Sequence, residues 1–236
     1  MPPALLIADA ARRRGQGAAG DFALLIPHFA VDPGEAVAVT GPSGAGKSTL
    51  LDLLALALKP DVAKTFSVAG TEAAVLWQQN ATDALARLRA ESLGYVLQQG
   101  GLLPFLSVRD NISLPQRLAG RRDPRRINEL AERLDIADQL DKKPGALSVG
   151  QRQRAAIARA LAHRPAIVLA DEPTASVHPE MADTILSLLA ETARDSGAAL
   201  VLATHDPARA EAAGFAMQKL ATRHEGDLAV SVLDRP

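Results

Sequence analysis

One run of nine residues constrains the fold of this chain more than any other: Gly41-Pro42-Ser43-Gly44-Ala45-Gly46-Lys47-Ser48-Thr49, set between an apolar run, Ala36 to Thr40, and a helical run, Leu50 to Lys59. Gly41, Gly44 and Gly46 let the backbone curl tightly enough to aim successive N–H groups at one point, with a helix N-terminus behind them. This is the pattern of a phosphate-binding loop. Lys47 is expected to reach the β- and γ-phosphates, Ser48 to offer its hydroxyl to Mg²⁺, and Thr49 to support the inner phosphates, with Pro42, Ser43 and Ala45 completing the cradle. The pattern implies a bound nucleoside triphosphate. It also commits the chain to a strand, a loop and a helix in that order.

The rest of the chain repeats that alternation. Short strands are expected before the loop, broken by Gly15–Gly20 and by the turn Asp32-Pro33-Gly34. Ala84 to Glu91 reads as helix and Leu93 to Leu97 as a strand ending at Gln98. From Gly101 to Leu147 the chain is arginine-rich, helix-forming and punctuated by Pro104, Pro115, Pro124 and Pro144, with Ile127, Leu130, Leu134 and Ile136 at near-helical spacing. Ser148 is a good N-cap for a helix that runs toward Pro165. Ile167 to Ala170 is an apolar strand ending in Asp171-Glu172, Met181 to Ala193 reads as helix, and Ala199 to Thr204 is a buried strand ending at His205. Such alternation predicts a parallel sheet covered on both faces.

Composition narrows the partners. With 236 residues, 26 basic and 27 acidic, and only 3% aromatic, the chain lacks the basic excess or aromatic face of a nucleic-acid binder, so no nucleic acid is expected. Arg12-Arg13-Arg14 and Arg121-Arg122 with Arg125-Arg126 read as solvated surface. Without cysteine there is neither a disulfide framework nor a thiolate metal site, which fits the cytosol. The start has no signal-peptide order, and charges such as Asp52 and Lys59 interrupt even the leucine-rich segments, so any membrane connection is expected to come through a partner.

Two features carry the chemistry further. An apolar strand ending in Asp171 is expected beside the strand that carries the phosphate-binding loop, so that its carboxylate meets Mg²⁺, and Glu172 then stands where it can accept a proton from an attacking water. Leu147-Ser148-Val149-Gly150-Gln151, followed by an Arg-Gln-Arg-Ala-Ala-Ile-Ala-Arg-Ala-Leu run, resembles the signature motif of ATP-binding cassette (ABC) ATPases. The resemblance covers nearly the whole chain and implies an α/β P-loop NTPase fold: a RecA-like parallel-sheet core with N-terminal antiparallel strands and an inserted helical subdomain. It implies one domain over 1–236, with the core at about 1–100 and 155–236 and the helical subdomain at about 101–154.

In that family two cassettes dimerise head to tail, so Ser148, Gly150 and Gln151 of one copy would close on the ATP of the other. Gln98 resembles the Q-loop glutamine that senses Mg²⁺ and the attacking water, and His205 in Ala203-Thr204-His205-Asp206 resembles the switch histidine at the γ-phosphate. Lys47, Gln98, Glu172 and His205 are thus the expected catalytic set, and Ser48, Gln98 and Asp171 the expected Mg²⁺ set. Leu102-Leu103-Pro104, Asn111-Ile112 and Leu169-Ala170-Asp171-Glu172-Pro173-Thr174 are similar to the lipoprotein-releasing and macrolide-export group, which implies an integral membrane permease as partner and a place at the inner face of the cell membrane. Amino-acid-importer cassettes share much of this pattern. It is also compatible with a soluble, non-transport ABC ATPase and with a poorly hydrolysing regulatory cassette.

Three positions depart from the family pattern. Val149 replaces a glycine of the signature, His178 stands where an Asp is usual, and no aromatic is evident where adenine is expected to stack. Arg14 and Gly15 occupy that place, with Phe22 as a substitute or a core residue. Base recognition is then expected to be weak.

Overall fold

The computed structural model describes residues 2–15, 21–98, 100–175, 177–226 and 228–234. The chain opens with a long antiparallel pair, β1 (Leu5–Arg14) and β2 (Asp21–Val31), followed by β3 (Ala36–Thr40) and α1 (Lys47–Leu54). Next come β4 (Val62–Val68), β5 (Thr71–Glu72), α2 (Ala73–Gln78), α3 (Thr82–Ser92) and β6 (Leu93–Val96). The helical stretch contains α4 (Val108–Leu118), α5 (Pro124–Arg133), two 3-10 turns (Ala137–Gln139 and Pro144–Ala146) and α6 (Val149–Leu161). The chain then alternates β7 (Ile167–Asp171), α7 (Pro179–Asp195), β8 (Ala199–Thr204) and α8 (Pro207–Ala212), and ends with β9 (Ala216–Glu225) and β10 (Leu228–Leu233).

The ten strands of the described residues join in one sheet of order β5-β4-β1-β2-β10-β9-β3-β8-β7-β6. The half from β9 to β6 is parallel, as the apolar strand runs predict, and the other half is mostly antiparallel. Side chains alternate along each strand, so the sheet divides its apolar residues between two cores. Val37, Val39, Ile167, Leu169, Val201 and Ala203 face the core that α1 fills with Leu50, Leu51, Leu53 and Leu54. Ala38, Val168, Ala170, Leu200 and Leu202 face the core filled by α6 and α7, with Ala156, Ile157, Ile185 and Leu189.

The N-terminal segment corrects the expectation of short strands. β1 and β2 are 10 and 11 residues long, because their registered pairing is continuous from Leu5↔Val31 to Arg14↔Phe22 apart from the left-handed Asp9. The expected break at Gly15–Gly20 lies, beyond Gly15, outside the described residues. α1 is also shorter than the expected run to Lys59: Leu56 has φ 56°, and the amides of both Ala57 and Leu58 turn back to the Asp52 carbonyl. The expected boundary near 154 falls inside α6, which runs unbroken across it.

Caps set the helix starts. Asp123 accepts from the Arg126 amide at 3.0 Å with Pro124 as first helical residue, and Asp206 does the same for Arg209 at 3.1 Å ahead of Pro207. β6 lies close under α6, since a Cβ on Gly94 would come 2.1 Å from the Ala160 carbonyl. His163, only 3% exposed at the end of α6, places Nε2 at 3.1 Å from the Leu93 carbonyl and fastens that contact.

Burial, with Arg121 nearby, pushes the His163 imidazole down from 6.5 to about 4, against the pull of the Leu93 carbonyl. Between those values the unfolded chain binds the proton and the folded chain does not, so stability falls as pH drops from 6.5 toward 4. The expected loss from this residue is on the order of 2–3 kcal/mol. Urea midpoints across that window should fall more steeply for the native chain than for His163→Gln; parallel slopes would remove His163 from the effect.

Candidate functional site

The C-terminal ends of β3, β7 and β8 converge where polar side chains first appear after buried strands. β3 delivers the loop from Gly41 to Gly46, and α1 begins at Lys47. Gly46 requires its identity twice: its φ is 90°, and a Cβ there would meet the Phe22 ring at 2.5 Å. Gly41 has no such freedom to lose, but a Cβ on it would press on the Leu220 carbonyl at 2.9 Å.

A cavity of about 480 Å³ lies over this loop. Ser43, Gly44, Gly46, Lys47, Ser48 and Thr49 form its floor, and Gln98, Asp171 and Glu172 form one wall. Lys47 is 6% exposed, and its ammonium donates to the carbonyls of Gly41 at 2.9 Å and Pro42 at 3.1 Å. Gly41 and Pro42 therefore shape the loop through their carbonyls, while Ala45 is buried with its amide on the Pro42 carbonyl at 3.2 Å.

The acidic wall is tightly organised. Glu172 lies 3.8 Å from the Lys47 ammonium through Oε1 and 3.0 Å from His205 Nδ1 through Oε2. Its backbone is left-handed at φ 42°, held by an amide hydrogen bond to the Ala203 carbonyl at 2.9 Å. A non-glycine residue in that region costs of order 1–3 kcal/mol and persists where the surroundings over-determine it, often at active sites. Asp171 is raised above the usual carboxylate range by burial, with Glu172 and Asp52 adding to the rise and a hydrogen bond from Ser48 opposing it. Behind it Tyr95 donates its hydroxyl to Asp52 at 3.3 Å; burial, then Asp52 and Asp171, raise the phenol well above its ordinary range.

The loop after Gln98 is tied to α6. Arg159 donates to the carbonyls of Gly100 at 2.9 Å and Gly101 at 2.6 Å. At the other end of α6, Ser148 and Gln151 form a reciprocal capping box, with the Ser148 hydroxyl accepting from the Gln151 amide at 3.2 Å and the Gln151 side chain accepting from the Ser148 amide at 2.9 Å. Val149 is the first helical residue of α6 and 44% exposed, so the glycine replacement brings no backbone strain. Gly150 faces Met181 of α7, whose sulfur would lie 3.0 Å from an added Cβ. His178 is the exposed N-cap of α7 and makes no side-chain cap bond. Ser176, two residues before it, lies outside the described residues.

The structure thus brings together Lys47, Ser48, Thr49, Gln98, Asp171, Glu172 and, through Glu172, His205. Ser148, Gly150 and Gln151 do not line this cavity. Phe22 lines it while also packing on the core. Arg14, read as solvated surface, also lines the cavity, as do Asp21 and Ala229, which sequence reasoning did not single out. Their only sequence signal is adjacency to Phe22 and to an apolar C-terminal run.

β7 is not the expected neighbour of β3, since β8 lies between them, but its Asp171-Glu172 end lines the same cavity as the phosphate-binding loop that follows β3, and that pairing defines a P-loop nucleoside triphosphatase. The chain belongs to the ABC transporter family, whose model matches residues 26–175. It is the ATP-binding, ATP-hydrolysing cassette of that family. Among its relatives is the lipoprotein-releasing system ATP-binding protein LolD 1 of Rhodospirillum rubrum, 40% identical over 230 residues, covering 96% of this chain and 98% of that protein. The macrolide export ATP-binding/permease protein MacB of Rhodopseudomonas palustris is 40% identical over 83% of this chain, which spans 29% of that longer protein. The dimeric post-hydrolysis state of the ATP-binding cassette MJ0796 bound to ADP and Pi is 28% identical with a TM-score of 0.78, covering 92% of this chain and 93% of that one.

Replacing Ser148 with Ala removes the hydroxyl half of the capping box. The variant should lose about 1 kcal/mol of stability in urea denaturation. An unchanged midpoint would mean that the Gln151 half alone holds the start of α6.

Proposed function

We propose that the chain works as the ATPase subunit of an export-type ABC transporter, pairing head to tail with a second cassette and driving an integral membrane permease. The observation that carries the reading is Glu172, held between Lys47 and His205 at the mouth of a cavity whose floor is the phosphate-binding loop. ATP would lie along that floor, with Lys47 exchanging its carbonyl partners for β- and γ-phosphate oxygens. Asp171 accepts from the Ser48 hydroxyl and is repelled by Glu172 and Asp52, so a divalent cation beside Ser48 and Asp171 would relieve that repulsion. Mg²⁺ held by Ser48 and Asp171, with Gln98 beside them, would neutralise charge on the transferred phosphoryl group. Glu172 would take the proton of the attacking water, and His205, with its proton on Nδ1, would donate to Glu172 and keep it aimed.

Ser148, Gly150 and Gln151 lie away from the chain's own cavity, so a second copy is what would bring a signature helix N-terminus to the phosphates. The names of the relatives motivate a permease partner, and coupling to a permease would hold the chain at the inner face of the membrane. No helix among the described residues is long and apolar enough to cross a membrane itself. Phe105 is 68% exposed, yet its loop is fixed: buried Asn111 donates to the carbonyls of Leu103 and Ser107 and accepts from the Leu103 amide. A rigid, exposed aromatic is a good anchor for a permease's cytoplasmic helix.

Glu172→Gln should preserve ATP binding and lower turnover at least a hundredfold, since the amide keeps the shape of the side chain but cannot act as a base. An ATP-dependent shift to dimer should appear in size-exclusion chromatography. Native turnover in this variant would take the general-base role away from Glu172. Phe105→Ala should leave folding and ATP binding unchanged, as expected of an exposed site, while weakening capture of the cognate permease in detergent at least tenfold. Equal capture of both forms would remove Phe105 from the interface.

A further inference from the structure

Close behind the acidic wall stands one carboxylate that neither binds phosphate nor moves a proton in the proposed chemistry, Asp52. Two elements fix its place. On α1 it follows Ser48 by four residues, so the two side chains lie one above the other on the same face of the helix. β6 pairs with β7 so that Tyr95 is opposite Leu169, and alternation along β7 puts Asp171 on the same sheet face as Leu169 and Tyr95. That face is the one α1 covers. Tyr95 reaches across it and donates its hydroxyl to Asp52 Oδ1 at 3.3 Å.

Among the described residues that phenol is the only side-chain partner of the half-buried Asp52 carboxylate, which forms no salt bridge. A neutral hydroxyl orients a carboxylate without cancelling its charge. The charge is felt on both sides: Asp52 contributes to raising the Tyr95 phenol and the Asp171 carboxyl, after burial in each case. Free ATP is more negative than its Mg²⁺ complex, so a fixed negative charge disfavours the free form more. We propose that Asp52 is a positioning residue for the metal-bound nucleotide: pinned by Tyr95 one helical turn behind Ser48, it adds a charge that acts through Ser48 and Asp171 and makes the site select Mg²⁺-ATP over free ATP. Lys47 and the loop amides attract either form, whereas Asp52 separates them. This rests on the cavity being the Mg²⁺-ATP site of the proposed function.

Competition by ATP against trinitrophenyl-ATP, run once with Mg²⁺ and once with EDTA, tests it on the native chain, Asp52→Asn and Tyr95→Phe. Asp52→Asn keeps the shape of the side chain and still accepts from Tyr95, so it removes the charge alone. The native chain should bind ATP more tightly with Mg²⁺ than with EDTA, and Asp52→Asn should narrow that ratio about fivefold, chiefly through tighter binding in EDTA. Mn²⁺ affinity in the presence of ATP, read by electron paramagnetic resonance, should fall in the same variant. Tyr95→Phe keeps the charge but frees the carboxylate to turn toward water, so the ratio should narrow with the same sign and to a smaller extent. An unchanged or wider ratio in Asp52→Asn, or equal loss of affinity with and without Mg²⁺, overturns the inference. If Asp52→Asn does not fold, Tyr95→Phe carries the test, and an unchanged ratio there overturns it. Ser48→Ala is the separate control and should weaken binding in Mg²⁺ but not in EDTA. If it changes neither, the triphosphate site itself falls and Asp52 with it; if it responds while Asp52→Asn does not, only the role of Asp52 falls.

Discussion

Neighbouring residues of the central strands must satisfy two cores at once, and much of the molecule follows from that requirement. In β3, Val37 and Val39 pack toward α1, while Ala38 packs toward α6 and α7. The strands have no solvated face, so polar side chains can appear only where the strands end. Parallel pairing brings those ends to one edge: the turn after Thr40, Asp171 at the end of β7 and His205 just past β8 lie together. The location of the site is a consequence of burying both faces of a parallel sheet.

At that edge the chain accepts local strain to aim its chemistry. Glu172 keeps a left-handed backbone that most side chains avoid, and three partners hold it: the Ala203 carbonyl, the Lys47 ammonium and the His205 ring. The same edge is tied to α6, where Arg159 grips the carbonyls that follow the Gln98 loop. Burial lowers the pKa of that guanidinium from its ordinary value, and its planar fork supplies both hydrogen bonds of the grip. A helix of 13 residues is a rod about 20 Å long, with this grip near one end and the Ser148 capping box at the other. Nucleotide-side and signature-side groups therefore share one rigid element.

The strands most legible in the sequence were those buried on both faces. Ala199–Thr204 and Ile167–Asp171 are apolar runs that end in polar residues, and the structure reproduces their limits. α1 was overestimated because leucine-rich sequence continues past the point where Leu56 turns left-handed, a choice made by the packing of the following turn. β9 carried almost no signal: its run of Lys219, Arg223, His224 and Glu225 is largely exposed, and it is a strand because β3 and β10 flank it with open backbone hydrogen bonds. Ser148 was readable as a helix cap, whereas only contacts show that the buried Asn111 fastens the loop carrying Phe105.

Sequence by itself determined the groups whose geometry is local. The phosphate-binding loop, the Asp171-Glu172 pair after an apolar strand, and the Ser148-to-Gln151 helix start each span a few consecutive residues, and backbone stereochemistry over that length leaves little choice of shape. Tertiary structure alone decided which of those groups meet. Glu172 contacts His205 from 33 residues away and Arg159 reaches Gly101 across 58, while Arg14, Phe22 and Ala229 form one row because three strands pair in register. Such meetings depend on strand order and register across the sheet, which are set by the packing of two cores, and no period or spacing within a single segment encodes them.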